Sequence, residues 1–224
     1  MPECLKKYDS APTRGRTLDY AAGVYDVLSP LMTFGQEKRI GKIAVELLDL
    51  KGHEKIIDIG CGTGSLTIDI AGKLSPAKGG QIIGIDAAAK MIAMAQKKAS
   101  GIGQAQFCIS AAEHLEYPDE TFDCAISTFF FHHIDFELKL QALNEIWRTL
   151  KNNGKVVIVD VDTPTNIFGK ICAWSGYVLF QQHEIKENIE GKLRDAIVQS
   201  KFRQFELISS HMGYVSIFAL QKKA

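Results

Sequence analysis

The sequence predicts an α/β fold: a doubly wound, mostly parallel seven-stranded sheet with an antiparallel C-terminal strand. Three patterns carry that prediction. Five short β-branched runs are apolar at successive positions, as strands buried on both faces must be. Amphipathic helical stretches separate them, supplying the crossovers that parallel strands need. After residue 200 the alternation stops, and two strands stand close enough to pair antiparallel.

Residues 1–17 carry Pro2, Pro12, Gly15 and mixed charges and read as a mobile leader to a single domain over 18–224. From Gly35 to Leu50, Ile40, Ile43, Ala44, Leu47 and Leu48 recur at helical spacing and form one buried stripe, which Gly52 ends. "KIIDI" (55–59) is the first strand, and Ser65 to Leu74 a helix that aligns Leu66, Ile70 and Leu74. "QIIGID" (81–86) is the second strand, followed by a helix from Ala88 to Ala99 with Met91, Ile92, Ala95 and Ala99 inward. "AQFCIS" (105–110) and "FDCAIST" (122–128) are the third and fourth strands. A helix from about Asp135 to Leu150, with Leu143, Ile146, Trp147 and Leu150 on one face, leads to the fifth, "KVVIVDV" (155–161). Residues 162–202 read as an insertion above the sheet, a lid or substrate segment, with one helix from Glu184 to Ser200 that aligns Ile185, Ile189, Leu193, Ala196 and Ile197. "QFELISS" and "YVSIFALQ" then pair across "HMG".

Composition narrows the partners. Twenty-six basic and 26 acidic residues cancel, so no global field draws the chain to nucleic acid, and a small uncharged or zwitterionic ligand fits better. Cys4, Cys61, Cys108, Cys124 and Cys172 stand far apart, and their odd number argues against a closed disulfide set. The N-terminus lacks the apolar core of a secretory signal and no run has membrane-spanning length, so a cytoplasmic protein is expected.

The chemistry concentrates in "DIGCGTGS" (58–65), a glycine turn between a strand and a helix. A phosphate-binding P-loop would need Lys and then Ser or Thr after its last glycine, but Ser65 and Leu66 follow Gly64. A dinucleotide turn spaces its glycines G-x-G-x-x-G, whereas Gly60, Gly62 and Gly64 alternate. Asp86 ends the second strand, where a carboxylate takes both hydroxyls of a ribose. A nucleoside without charged phosphates suits that set.

In these residues the chain resembles the class I S-adenosylmethionine-dependent methyltransferases, which have a Rossmann-like fold. "IIDIGCGTGSL" resembles their first motif, "GID" the second, and "SAAEHLEYPDETFDCAIS" the stretch around the third and fourth strands. "LKNNGKVVIVD" resembles their "LKPGG" entry to strand five, with Asn152 in place of the proline. The resemblance runs from about Leu18 to Asp160. Tyr25-Asp26 and "FGQEKRIGKIAVELL" are most similar to the ubiquinone and menaquinone biosynthesis C-methyltransferases and the phospholipid N-methyltransferases. It implies that Asp58, Gly60, Cys61, Gly62 and Gly64 surround the methionine part of S-adenosylmethionine and that Asp86 holds its ribose. Ala87 and Met91 would lie against the adenine, although Met91 equally suits a helix core. Many relatives carry an Asp where this chain has Ala111, so adenine recognition would pass to the backbone of Ala112 and to Glu113, which alternatively is an ordinary surface acid. Tyr20 and Tyr25 would close over the cofactor, or serve as buried tyrosines anchored by their hydroxyls.

Beyond the glycine turn, Ser127 lies at the carboxyl end of the fourth strand, where open sheets place ligands. His132 and His133 follow that strand end, so either is a candidate catalytic base; alternatively one packs beneath the next helix while the other faces solvent. Phe129, Phe130 and Phe131 line a substrate pocket or finish the core. "IFGKICAWSGYVLF" (167–180) is apolar near helical spacing and is read as a lid over a lipophilic acceptor, a peripheral membrane contact or a homodimer seal, or else as simple core packing. No metal spacing is present, and none is needed by a sulfonium methyl donor. The expected function is methyl transfer to a small, lipophilic or ring-bearing acceptor, quinol-like or phospholipid-like. The rivals are a non-catalytic cofactor-binding module and a methyltransferase for a polar small molecule.

Overall fold

The computed structural model describes residues 9–20, 22–23 and 33–223, without the side chain of residue 180. The strands are β1 (Lys55–Ile59), β2 (Gln81–Asp86), β3 (Ala105–Ile109), β4 (Phe122–Thr128), β5 (Leu150–Val161), β6 (Glu206–His211) and β7 (Val215–Gln221). They form a seven-stranded sheet in the order β3-β2-β1-β4-β5-β7-β6. Only β7 is reversed, pairing antiparallel with both β5 and β6. The expected architecture is therefore the observed one.

Seven α-helices are described: α1 (Glu37–Leu47), α2 (Ser65–Ala71), α3 (Ala89–Lys98), α4 (Phe136–Thr149), α5 (Ile167–Phe180), α6 (His183–Ile189) and α7 (Lys192–Gln199). Strand residues alternate between two cores, as a period of two requires. Ile57, Ile59, Val156 and Ile158 face Leu143 and Ile146 of α4 and Leu193 and Ile197 of α7. Ile56, Val157 and Val159 face the other way, toward Ile40 and Ala44 of α1 and Ile70 of α2. Asp135 caps α4 by accepting the Leu138 N–H at 2.8 Å.

The structure departs from the sequence reading in three places. The single helix expected over 184–200 is two, because Gly191 adopts φ +87°, a conformation that ends a helix. β5 begins at Leu150 rather than residue 155, since Leu150 pairs with Phe122 across a register shift that periodicity cannot reveal. Cys108 is disulfide-bonded while Cys61, Cys124 and Cys172 are free, because an odd total still permits one bridge.

Sheet order fixes where a ligand can sit. From β1 the chain builds outward through β2 and β3, then returns to place β4 on the other side of β1. The helical connections diverge at that point and leave a crevice at the carboxyl ends of the strands. The glycine turn opens into it. α5 carries Ile167, Ile171, Val178 and Leu179 exposed, and Phe168 packs on Phe34 with ring centroids 5.6 Å apart. Among the described residues no helix is long and apolar enough to cross a membrane.

Candidate functional site

β1 delivers the chain into a turn that only a glycine suits at its first position. Gly60 has φ +71°, and a Cβ there would meet the Phe130 ring at 2.5–2.6 Å. The turn is pinned to β2: Cys61 N–H donates to Ile85 O at 2.9 Å and Gly62 N–H to Asp86 Oδ2 at 3.0 Å. Asp86 Oδ1 accepts the Ala88 N–H at 2.8 Å. Burial raises the Asp86 pKa, and these two N–H groups oppose the rise by favouring the ionised form. Each carboxylate oxygen keeps a second lone pair for a ligand hydroxyl.

Beneath the turn, Asp58 is buried. Its Oδ2 accepts the Thr67 hydroxyl at 2.6 Å, whereas Oδ1 has no partner among the described residues. Burial pushes its pKa up to about 7, and the nearby Asp86 charge adds to the rise. A buried carboxylate with one open oxygen suits a cationic ligand group.

The turn forms one wall of a cavity. Asp86, Ala87, Met91, residues 110–113, Phe129, Phe130 and His133 line it as well. The outer wall is the N-terminal segment through Thr13, Gly15, Arg16 and Leu18. Of residues 1–17, read in the sequence as a mobile leader, 1–8 lie outside the described residues and 9–17 are hydrogen-bonded here. Ala11 N–H donates to Ala87 O at 2.8 Å, the Thr13 hydroxyl bonds Glu113, and Arg16 N–H donates to His133 O at 3.2 Å. Asp19 accepts from Ser10 at 2.6 Å and from Lys90 N–H at 2.8 Å. Most of these bonds use backbone groups, which leave no hydropathy signature.

Of the residues singled out in the sequence, Gly60, Gly62, Asp86, Ala87, Met91, Ala112, Glu113 and His133 line this cavity together. Asp58 lies beneath it. Gly64 lies elsewhere: a Cβ there would sit 2.6 Å from Phe107, so its role is close packing of α2 on the sheet. Cys61 turns onto Gly84. Ser127 is buried and donates to Ile59 O at 2.9 Å, joining β4 to β1. Tyr20 is 73% exposed, and Tyr25 lies outside the described residues. His132 is beside the cavity, its ring 4.0 Å from that of His133. The sequence reading missed Asp160 as a site residue. It ends an apolar run at the carboxyl edge of the sheet, the same signal that picked out Asp86. His132 Nδ1 is 2.6 Å from Asp160 Oδ1.

A family model described as "Methyltransferase domain" matches residues 50–204. The chain belongs to the methyltransferase domain family. The Demethylmenaquinone methyltransferase of Lactobacillus johnsonii is 34% identical over 157 residues, 68% of this chain and 62% of that protein. The Ubiquinone/menaquinone biosynthesis C-methyltransferase of Citrifermentans bemidjiense is 32% identical over 144 residues, 63% of this chain and 60% of that protein. The chain thus spans 60–62% of the length of these curated relatives. A SAM-dependent methyltransferase from Aquifex aeolicus has a TM-score of 0.62 at 18% identity, covering 92% of this chain and 99% of that one. A likeness to a second, from Methanosarcina mazei, has a TM-score of 0.59 at 20% identity over 80% and 96% of the two chains. At such identities the structural likenesses establish the fold alone.

The residues of this methyltransferase domain fit S-adenosylmethionine. The cavity has a side-chain-free turn over which a thioether-sized chain can pass and a carboxylate placed for two hydroxyls, and just before the turn Asp58 holds a buried carboxylate oxygen without a partner among the described residues. His133, the imidazole on the wall, has its pKa held well below the usual histidine value, chiefly by burial and then by its neighbour His132. A neutral ring there does not repel a sulfonium.

Proposed function

We propose that this chain is an S-adenosylmethionine-dependent methyltransferase whose acceptor is a small lipophilic quinol. The carrying observation is the cavity at the sheet's switch point, in which Gly60, Gly62, Asp86 and Glu113 converge. Bound there, the cofactor supplies a methyl group already activated on a cationic sulfur. The chain's own part is alignment and exclusion of water. Asp86 orients the ribose, Asp58 the charged end of the methionine part, and Ala112 with Glu113 meet the base in place of the absent Asp at Ala111. Phe129 and Phe130 exclude water on the acceptor side.

The quinol reading is supported by the names of the relatives from Lactobacillus johnsonii and Citrifermentans bemidjiense and by the exposed apolar face of α5, where Ile171 is 63% and Val178 67% exposed. An acceptor that lives in lipid needs an apolar entrance, and that face supplies one through peripheral contact with a bilayer. The test is transfer of labelled methyl from S-adenosylmethionine to a short-chain demethylmenaquinol in detergent. Label in the quinol ring is expected. Tight binding of S-adenosylhomocysteine without transfer to quinol or lipid would establish a non-catalytic module instead.

A further inference from the structure

We infer that His132, held at Nδ1 by Asp160, is the base of this site and that Asp160 is its positioning residue, a step that rests on the function proposed above. Asp160 is 0% exposed at the end of β5, directly under the 129–134 loop. Its Oδ2 accepts the Phe131 N–H at 2.7 Å and its Oδ1 the Val161 N–H at 2.7 Å, with Asn188 Nδ2 at 3.4 Å. One buried carboxylate therefore fixes both the loop backbone and the His132 ring.

A carboxylate only accepts, so the ring nitrogen 2.6 Å away carries its hydrogen, and in the neutral ring Nε2 keeps its lone pair. Nε2 has no hydrogen-bond partner among the described residues, and the side chain is 12% exposed. The ring packs edge-on to Phe129, centroids 6.5 Å apart, and against His133 at 4.0 Å, and both neighbours line the cavity. His133 itself is engaged differently. Its Nδ1 bonds Gln182 Oε1 at 3.3 Å, and burial keeps it neutral. The two adjacent histidines thus divide the work: one is a wall, the other a base.

In the reaction, His132 Nε2 takes the proton of a ring hydroxyl. The O–H electron pair forms the carbonyl and drives a ring π pair at the adjacent carbon onto the methyl carbon. The carbon–sulfur bond breaks with its pair going to sulfur. Migration of the ring C–H proton to oxygen restores the aromatic quinol, and the imidazolium returns one proton to solvent.

His132→Asn is the discriminating variant, because its amide can still donate to Asp160 from the Nδ1 position while no Nε2 remains. We expect its kcat for labelled-methyl transfer to demethylmenaquinol to fall about 100-fold or more, with KM and S-adenosylhomocysteine affinity within about threefold of wild type. Asp160→Asn should lower kcat by about tenfold or more. In ¹⁵N NMR, neutral His132 should be the Nδ1–H tautomer in wild type and lose that preference in Asp160→Asn. A transfer rate within threefold of wild type in His132→Asn, or an Nε2–H tautomer in wild type, overturns the inference. Wild-type protein that transfers nothing to the quinol instead overturns the proposed function beneath it.

Discussion

Gly60→Ala separates a turn that merely tolerates glycine from one that requires it. Two penalties are built into the position. At φ +71° an alanine loses roughly 1–2 kcal/mol from backbone sterics alone. Its Cβ would also lie 2.5–2.6 Å from Cδ2, Cβ and Cγ of Phe130, an overlap that costs about 1–3 kcal/mol when neighbours must move. Phe130 cannot yield easily. The Phe131 N–H is held by Asp160 at 2.7 Å, the Phe131 ring is 0% exposed, and His133 N–H donates to Phe130 O at 2.9 Å. Urea unfolding should therefore show Gly60→Ala destabilised by about 2–5 kcal/mol with an unchanged m-value. Phe130→Gly removes all three of these atoms, the Cβ included, but leaves the backbone penalty. The double variant should then be more stable than the sum of the singles by about 1–3 kcal/mol, the steric part alone. Calorimetry with S-adenosylhomocysteine on the same four proteins reports whether the ring position matters to binding. A Gly60→Ala protein within 0.5 kcal/mol of wild type, or strict additivity in the cycle, would refute the close approach of Phe130 to the turn.

Asp58 makes stability depend on pH in an unusual direction. Its pKa is about 7 in the folded chain against an ordinary 3.8, so the folded state holds the extra proton between those values and this group's contribution falls as pH rises from about 4 to about 7. Asp58→Asn should flatten that slope in urea titrations, and wild type should release protons on binding S-adenosylhomocysteine at pH 6, seen as a buffer-dependent calorimetric heat. Arg194→Met should lower stability by about 3 kcal/mol, because Asp162, 0% exposed, loses its paired guanidinium and retains the Ser216 hydroxyl at 2.6 Å. Denaturant midpoints test it, with methyl transfer expected to survive at low temperature. Thr13→Val removes the hydroxyl that reaches Glu113 and should speed cofactor dissociation several-fold in stopped flow, with little change in unfolding.

The parts legible in the sequence are those that periodicity and backbone conformation govern. "QIIGID" and "FDCAIST" were bounded to the residue because burial on both faces leaves no polar position within the strand core to blur them. The glycine turn was legible because only a close approach explains glycines at 60 and 62 on a strand end. Asp160 was not singled out, although it ends "VIVD" as Asp86 ends "IIGID", because what distinguishes it is contact with a loop 28 residues away. Gly64 shows a packing role that spacing alone does not reveal. Its spacing matched the ligand turn, while its neighbours are Phe107 and Ala95. The N-terminal segment has no hydropathy signal, since its attachment is polar: two backbone bonds, to Ala87 and His133, and side-chain bonds of Ser10, Thr13 and Asp19.

Net neutrality of the chain conceals a local field built by the fold. Asp58 and Asp86 are brought to one turn from positions 28 residues apart in sequence, and burial raises the pKa of both, to about 7 for Asp58. The imidazole on the cavity wall is kept uncharged by the same burial. A cation entering this cavity meets the Asp86 carboxylate and an uncharged His133 ring, with Arg16 as a fixed positive charge on the lining. The local field at the turn is therefore set by desolvated acidic groups rather than by the chain's net charge, and the proton that Asp58 holds at a pKa of about 7 is the one a bound cation would displace.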